Sequence, residues 1–245
     1  DQNYTDGAGL PSVTNQIMLV KGTDGDIKKA LLLVDSNAYV DNTIKAVLEW
    51  DYDIIRDSTV DWAANALEDL ECPETVAFFH IPVSEFRIAY EDLEANGWKD
   101  TEDTKYISGV WDELVDETTH SRIWHGGITK DVPLADIDKF FEAMGPTGID
   151  VLEACYCGHD HVNNAMVNYK GVDLCYGYSI DNLAYTDINY SGAQRGATII
   201  TIGADGKRKT EYKNAYKDYG VPTDEFVEVY TDHLLYEGSK PDGVL

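Results

Sequence analysis

The stretch Cys155-Tyr-Cys-Gly-His159-Asp-His161-Val-Asn-Asn164 places two thiols and two imidazoles within seven positions, directly after the apolar run 149–154. That run predicts a core strand, so Gly158 is expected where the strand ends and the backbone turns sharply, a place that favours a residue without a Cβ. His159 and His161 then fall on a loop at a strand's edge. Residues two apart in an extended chain face the same way, so both imidazoles can share one pocket, which is a metal-ligand arrangement. The plainer reading of the same pair is a solvated polar loop. Alternation of Cys155, Cys157, His159 and His161 also suggests a single four-ligand zinc site. Geometry argues against it: an extended stretch sets the first and last ligand about 20 Å apart at ~3.3 Å per residue, whereas the ligands of one zinc lie within ~2.3 Å of the ion. Two ions, each taking one histidine and further ligands from elsewhere, fit better. Cys155 and Cys157 are then expected to be structural, packing as small apolar side chains.

A chain of 245 residues with 43% hydrophobic content can bury a full core as one domain, with or without an appendage. Charge excludes more than length does. With 45 acidic against 19 basic residues the formal charge is −26, and such a surface repels polynucleotides and anionic membranes, so neither is an expected partner. The acidity suits a high-salt, extracellular or cell-envelope setting as well as simple solubility. No run of 18 apolar residues predicts a membrane span, and the first residues carry neither the basic nor the apolar region of a signal peptide. Four cysteines, Cys72, Cys155, Cys157 and Cys175, are too few for a dense disulfide framework.

In chain order, residues 16–20 and 30–34 read as strands at hairpin distance, the first ended by the turn 22–25 and the second by the turn chemistry of Asp35-Ser36-Asn37. Ser58 with Asp61 resembles a capping box, and Trp62, Ala66, Leu67 and Leu70 give an apolar face to a helix of about 12 residues. Cys72-Pro73 ends it. Residues 75–79 form a third, fully apolar strand that delivers His80 and Pro82 at its end, His80 being either a ligand or a core or capping histidine. The acidic, aromatic-containing segment 83–123 is expected to be helical in parts and to lie as a lid over one end of the sheet. His125, in the turn Trp124-His125-Gly-Gly127, is either a pocket residue or a solvated loop histidine. Pro133, Leu134, Ile137, Phe140, Phe141 and Met144 predict a helix stopped by Gly145-Pro146. Residues 172–176 and 197–202 are strands, the latter followed by the turn 204–206 and a hairpin partner within 207–212. These elements assign residues 1–212 to one domain, and the lower apolar density of 213–245 reads as a peripheral extension.

Taken together, Phe78-Phe-His80-Ile-Pro82, Cys157-Gly-His159-Asp-His161-Val-Asn-Asn164, Leu174-Cys-Tyr176-Gly177 and Arg195-Gly196-Ala197 resemble the second half of calcineurin-like metallophosphoesterases, nearest the purple acid phosphatases. The order and spacing of these motifs cover about residues 10–205. The resemblance implies an α/β fold, a two-sheet β-sandwich flanked by helices, with two metal ions (Fe, Zn or Mn) at the strand ends and a phosphorylated small-molecule substrate. It implies that His80 and His159 bind one metal and His161 the other; His125 is the candidate to face substrate on its position and glycine neighbours alone. The family's first three motifs, Asp-x-His, Gly-Asp-x-x-Asp and Gly-Asn-His, should precede residue 16 and have no counterpart here. Two readings follow: the C-terminal portion of a phosphoesterase, or a non-catalytic binding or structural protein that kept the sandwich without the complete centre.

Overall fold

A computed structural model describes residues 15–37, 54–109, 139–159, 163–180 and 195–220. Strand β1 (Gln16–Lys21) turns through Gly22–Gly25 into β2 (Ile27–Leu33), and the two pair antiparallel, as their hairpin spacing predicts. Helix α1 (Asp57–Asp69) buries Val60, Ala63 and Leu67, the i, i+3, i+7 stripe of an amphipathic helix. It starts after Arg56 with no side-chain cap, so the expected Ser58–Asp61 box does not form. Asp57 in the first turn instead places its charge against the positive end of the helix dipole.

Strand β3 (Thr75–Phe78) follows, then helix α2 (Ser84–Ala95), which buries Phe86, Ala89, Tyr90 and Leu93. Next in the chain is β4 (Thr104–Ser108). This corrects part of the expected lid. Residues 104–108 alternate inward and outward and pair antiparallel with residues 166–169, forming an outer strand of the sheet. The five-residue helix α3 (Phe140–Met144) packs Phe140, Phe141 and Met144 into the core before β5 (Leu152–Cys157). The rest of the predicted lid, residues 110–123, and the start of the predicted helix at 133–138 lie outside the described residues.

β6 (Met166–Tyr169) and β7 (Val172–Tyr176) form a hairpin whose two turn residues, Lys170 and Gly171, take φ of 50° and 91°. Positive φ at both central positions matches the twist of the flanking strands. β8 (Gly196–Ile202) and β9 (Arg208–Asn214) form a second hairpin, followed by the short helix α4 (Ala215–Tyr219).

The large sheet has the order β1-β2-β3-β5-β7-β6-β4, and β8-β9 is a separate two-stranded sheet. At its centre β2, β3, β5 and β7 run parallel, so their C-terminal ends share one edge. Period-two alternation gives the large sheet two apolar faces. Ala30, Leu32, Ala77, Cys155, Cys157 and Leu174 share a core with the buried stripes of α1, α2 and α3. On the opposite side Val76, Ala154, Tyr156, Met166 and Cys175 pack with Ile200 and Tyr212 of the second sheet. The protein is thus α/β, with helices, a mixed seven-stranded sheet and a small second sheet in layers.

Candidate site at the strand ends

Four parallel strands end side by side at this edge. Leu33 of β2 pairs with Phe78 of β3, Phe78 with Tyr156 of β5, and Cys157 with Tyr176 of β7. Hydrogen bonds continue past the strands proper: Phe79 N donates to Tyr156 O at 3.1 Å, Gly158 N to His80 O at 3.2 Å, and Gly177 N to Cys157 O at 2.9 Å. Residues 80, 158 and 177 are therefore held in a row by backbone alone.

His80 and His159 meet there. Their ring centroids lie 5.2 Å apart with planes at 84°, although 78 residues separate them in the chain. His80 is exposed and His159 half-buried, so the pair lies at the surface end of the core. The expected sharp turn sits one residue later than the glycine: His159 has φ 68°, in the left-handed region, while Gly158 continues the strand's hydrogen bonding. A non-glycine residue there costs roughly 1–3 kcal/mol and persists only where its surroundings fix it. His159 is thus not extended, and the two-residue alternation expected to bring His161 to the same side does not hold at its first member. His161 and His125 lie outside the described residues.

The glycine allows the close approach of His80. A Cβ built on Gly158 would lie 3.1 Å from His80 Nδ1. Ser36 serves the same end, since its hydroxyl accepts from Ile81 N at 2.9 Å and ties the β2 loop to the residue after His80. Asp35 accepts from Asn37 N at 2.7 Å, the turn its sequence predicts. The structural role of Ser36 is not legible locally, because its partner is 45 positions away. Asn164 and Tyr178 are two further polar groups beyond these strand ends that the sequence reading left unassigned, and Asn164 Nδ2 donates to the Tyr178 hydroxyl at 3.2 Å.

Cys155 and Cys157 are buried in the helix-side core, 0% and 4% exposed, as expected of structural thiols. Cys175 lies on the other face, where burial above all, and the Asp173 charge next, push its thiol well above the usual range. Among the described residues no three His, Cys, Asp or Glu side chains group closely enough to hold a metal ion. Two imidazoles at the strand ends, one of them open to solvent, suit Fe, Zn or Mn in donor type, and a complete site needs further ligands.

The chain is similar to a curated plant protein, "Probable inactive purple acid phosphatase 29" of Arabidopsis thaliana. The two are 25% identical over 166 residues, 67% of this chain and 34% of the relative. This chain spans about a third of the relative's length. No family model matches it, and no solved structure matches it. The similarity supports a metallophosphoesterase-like relationship at a distance.

Proposed function

We propose that this chain supplies the second half of a metal-dependent phosphoesterase that hydrolyses phosphate mono- or diesters at a dinuclear centre. The observation that carries the reading is the approach of His80 and His159 at the ends of two parallel strands, within motifs in the order the resemblance requires. In this reading His80 and His159 hold one ion, His161 the other, and His125 faces the phosphorylated substrate. Once bound, the metal pair supplies Lewis-acid stabilisation of the phosphoryl oxygens and a nucleophile at neutral pH. The chain's own part is placement: Ser36 and the backbone bonds of Gly158 fix the segments that carry the imidazoles, and Gly158 leaves the room that His80 occupies.

A second reading, a binding or structural protein with an incomplete centre, is favoured by the ligand count. Three histidines shared by two ions leave one or two protein ligands each, whereas catalytic sites of this kind commonly provide three. The two readings separate in one experiment. Mn2+ or Zn2+ binding to residues 1–245 is measured by calorimetry for the parent, His80→Ala and His159→Ala, and an aryl phosphate is assayed with each metal. The phosphoesterase reading expects measurable binding weakened about tenfold or more by either substitution. It also expects no enzyme-like turnover by residues 1–245 alone, and turnover when the three missing motifs are supplied upstream. Binding indifferent to both substitutions, or no turnover in the completed chain, would overturn it.

A further inference from the structure

Tyr178 stands where the row of strand ends continues. Cys157 of β5 pairs with Tyr176 of β7, and Gly177 N donates to Cys157 O at 2.9 Å, so Gly158 and Gly177 are neighbours. The next residue after each is His159 on one strand and Tyr178 on the other. Neighbouring strands lie about 4.8 Å apart, which puts Tyr178 on the edge that carries the histidine pair. It is fixed there on several sides. Its N–H donates to Thr198 Oγ1 at 3.0 Å, and its ring centroid lies 4.9 Å from that of Tyr212. Gly196 leaves room for the ring, since a Cβ at that position would lie 3.0 Å from Tyr178 Cδ2.

The Tyr178 hydroxyl oxygen accepts from Asn164 Nδ2 at 3.2 Å and from Asn214 Nδ2 at 3.5 Å. The second amide has a fixed orientation, because Asn214 Oδ1 already accepts from Tyr216 N and Lys217 N, both at 2.9 Å, at the start of α4. A phenol has one proton to donate. With amides donating to its oxygen, that proton is directed to neither of them, and no acceptor among the described residues takes it. Hydrogen bonds accepted by the oxygen polarise the O–H and strengthen the bond it can donate. A fixed donor at the mouth of a site suits an oxyanion, because it stabilises the charge without having to reorganise. Building on the phosphoesterase reading of the histidine pair, we propose that Tyr178 donates a hydrogen bond to a non-bridging oxygen of the bound phosphoryl group. Asn164 and Asn214 are positioning residues that turn its proton outward. The proton stays on the phenol throughout, so no bond is made or broken at Tyr178.

The test loads residues 1–245 with Mn2+ and measures the binding of inorganic phosphate by calorimetry. Tyr178→Phe keeps the ring against Tyr212 and removes only the hydroxyl. Mn2+ affinity is expected to hold while phosphate affinity falls about tenfold or more, the worth of one hydrogen bond to a charged group. A second measurement leaves the phenol in place and serves if the variant does not fold. With Zn2+ instead of Mn2+, phosphate should shift the carbon-13 signal of the Tyr178 phenol in the parent and leave that of Tyr219, 68% exposed, unmoved. Phosphate affinity unchanged in Tyr178→Phe, or a Tyr178 signal that phosphate does not move, overturns the proposal. So does a matching loss of Mn2+ and phosphate binding, which would make the hydroxyl a structural clasp, or a metal-loaded parent that binds no phosphate. Mn2+ binding that His80→Ala still weakens leaves the phosphoesterase reading standing in each of these cases, whereas binding indifferent to His80→Ala removes both.

Discussion

Gly158 and His159 divide between them what one glycine was expected to do. Gly158 keeps its N–H on the His80 carbonyl, and that bond holds it in the line of the strand, so the reversal passes to His159 at φ 68°. The glycine at 158 gives His80 room to approach; it is not there for backbone freedom. Replacing it with alanine sets a methyl 3.1 Å from His80 Nδ1, and because His80 is exposed, its ring can swing out. Loss of unfolded-state entropy favours alanine by about 0.4–1 kcal/mol where the backbone allows it. We therefore expect Gly158→Ala to leave the melting temperature within a few degrees of the parent. The imidazole NMR signals of His80 and His159 should both shift, and Mn2+ binding should weaken. A large drop in stability with unchanged histidine signals would mean that the glycine serves the backbone instead. Of the four histidines assigned to the site, the sequence located His80 and His159 through the apolar strands that end at them, whereas their approach depends on sheet order, which no local pattern encodes.

At the level of elements, the second sheet is fastened to the first by charge as well as by apolar contact. Arg208 of β9, 8% exposed at its side chain, reaches Glu153 of β5 at 3.2 Å and also pairs with Asp173 of β7. Its guanidinium donates to the Tyr156 hydroxyl at 2.6 Å and to Thr210 at 2.9 Å. Lys29 of β2, wholly buried, pairs with Glu153 as well and with Glu74 at 2.6 Å. Burial works against the charge on Arg208, but its bond to Asp173 and the other nearby groups outweigh this and hold the guanidinium's pKa above its usual value. Removing one partner of such a network leaves the rest desolvated, at a cost of about 3–5 kcal/mol. Arg208→Met should therefore destabilise the protein by that amount in urea titration, and Lys207→Met, whose side chain is 86% exposed, should not. Equal effects would show that the clasp contributes nothing beyond surface charge. The β8–β9 hairpin was readable from its isoleucines and the turn at 204–206, yet its docking face was not, because the partners of Arg208 lie 35 and 55 positions away. Strand β6 was missed despite a local signal, the Lys170-Gly171 pair between Met166–Tyr169 and Val172–Tyr176. Strand β4 was missed because, at the edge of the sheet, it buries only one side and sits in an acidic segment.

The molecule as a whole carries an alkaline weakness in the layer between its sheets. Burial, with the Cys175 thiol adding to it, pushes the Tyr156 phenol from 10.0 up to about 12 against the opposing bonds to Thr210 and Arg208. Burial likewise raises Cys175 and Tyr212, the first from an ordinary 9.0 and the second from 10.0. All three groups are neutral when protonated, and the folded state holds their protons to a higher pH than the unfolded chain does. The folded state therefore binds more protons in that interval, and stability must fall as pH rises. Their contribution is complete below about pH 9, where the unfolded chain also keeps these protons. It declines as the unfolded thiol and then the unfolded phenols ionise, and the Tyr156 part is exhausted once pH passes 12. Each such group steepens the fall by about 1.4 kcal/mol per pH unit within its own interval. Melting temperature should accordingly begin to drop near pH 9, before any surface tyrosine ionises, and drop faster above pH 10. Cys175→Val removes one of the groups that ionise first while keeping an apolar side chain in its place, so the fall in melting temperature between pH 9 and 10 should become shallower. Absorbance at 295 nm separates the cause from general base damage. The buried phenols should ionise together with unfolding, in one cooperative step, and smooth titration of every tyrosine near 10 with the fold intact would show that the layer is open to water.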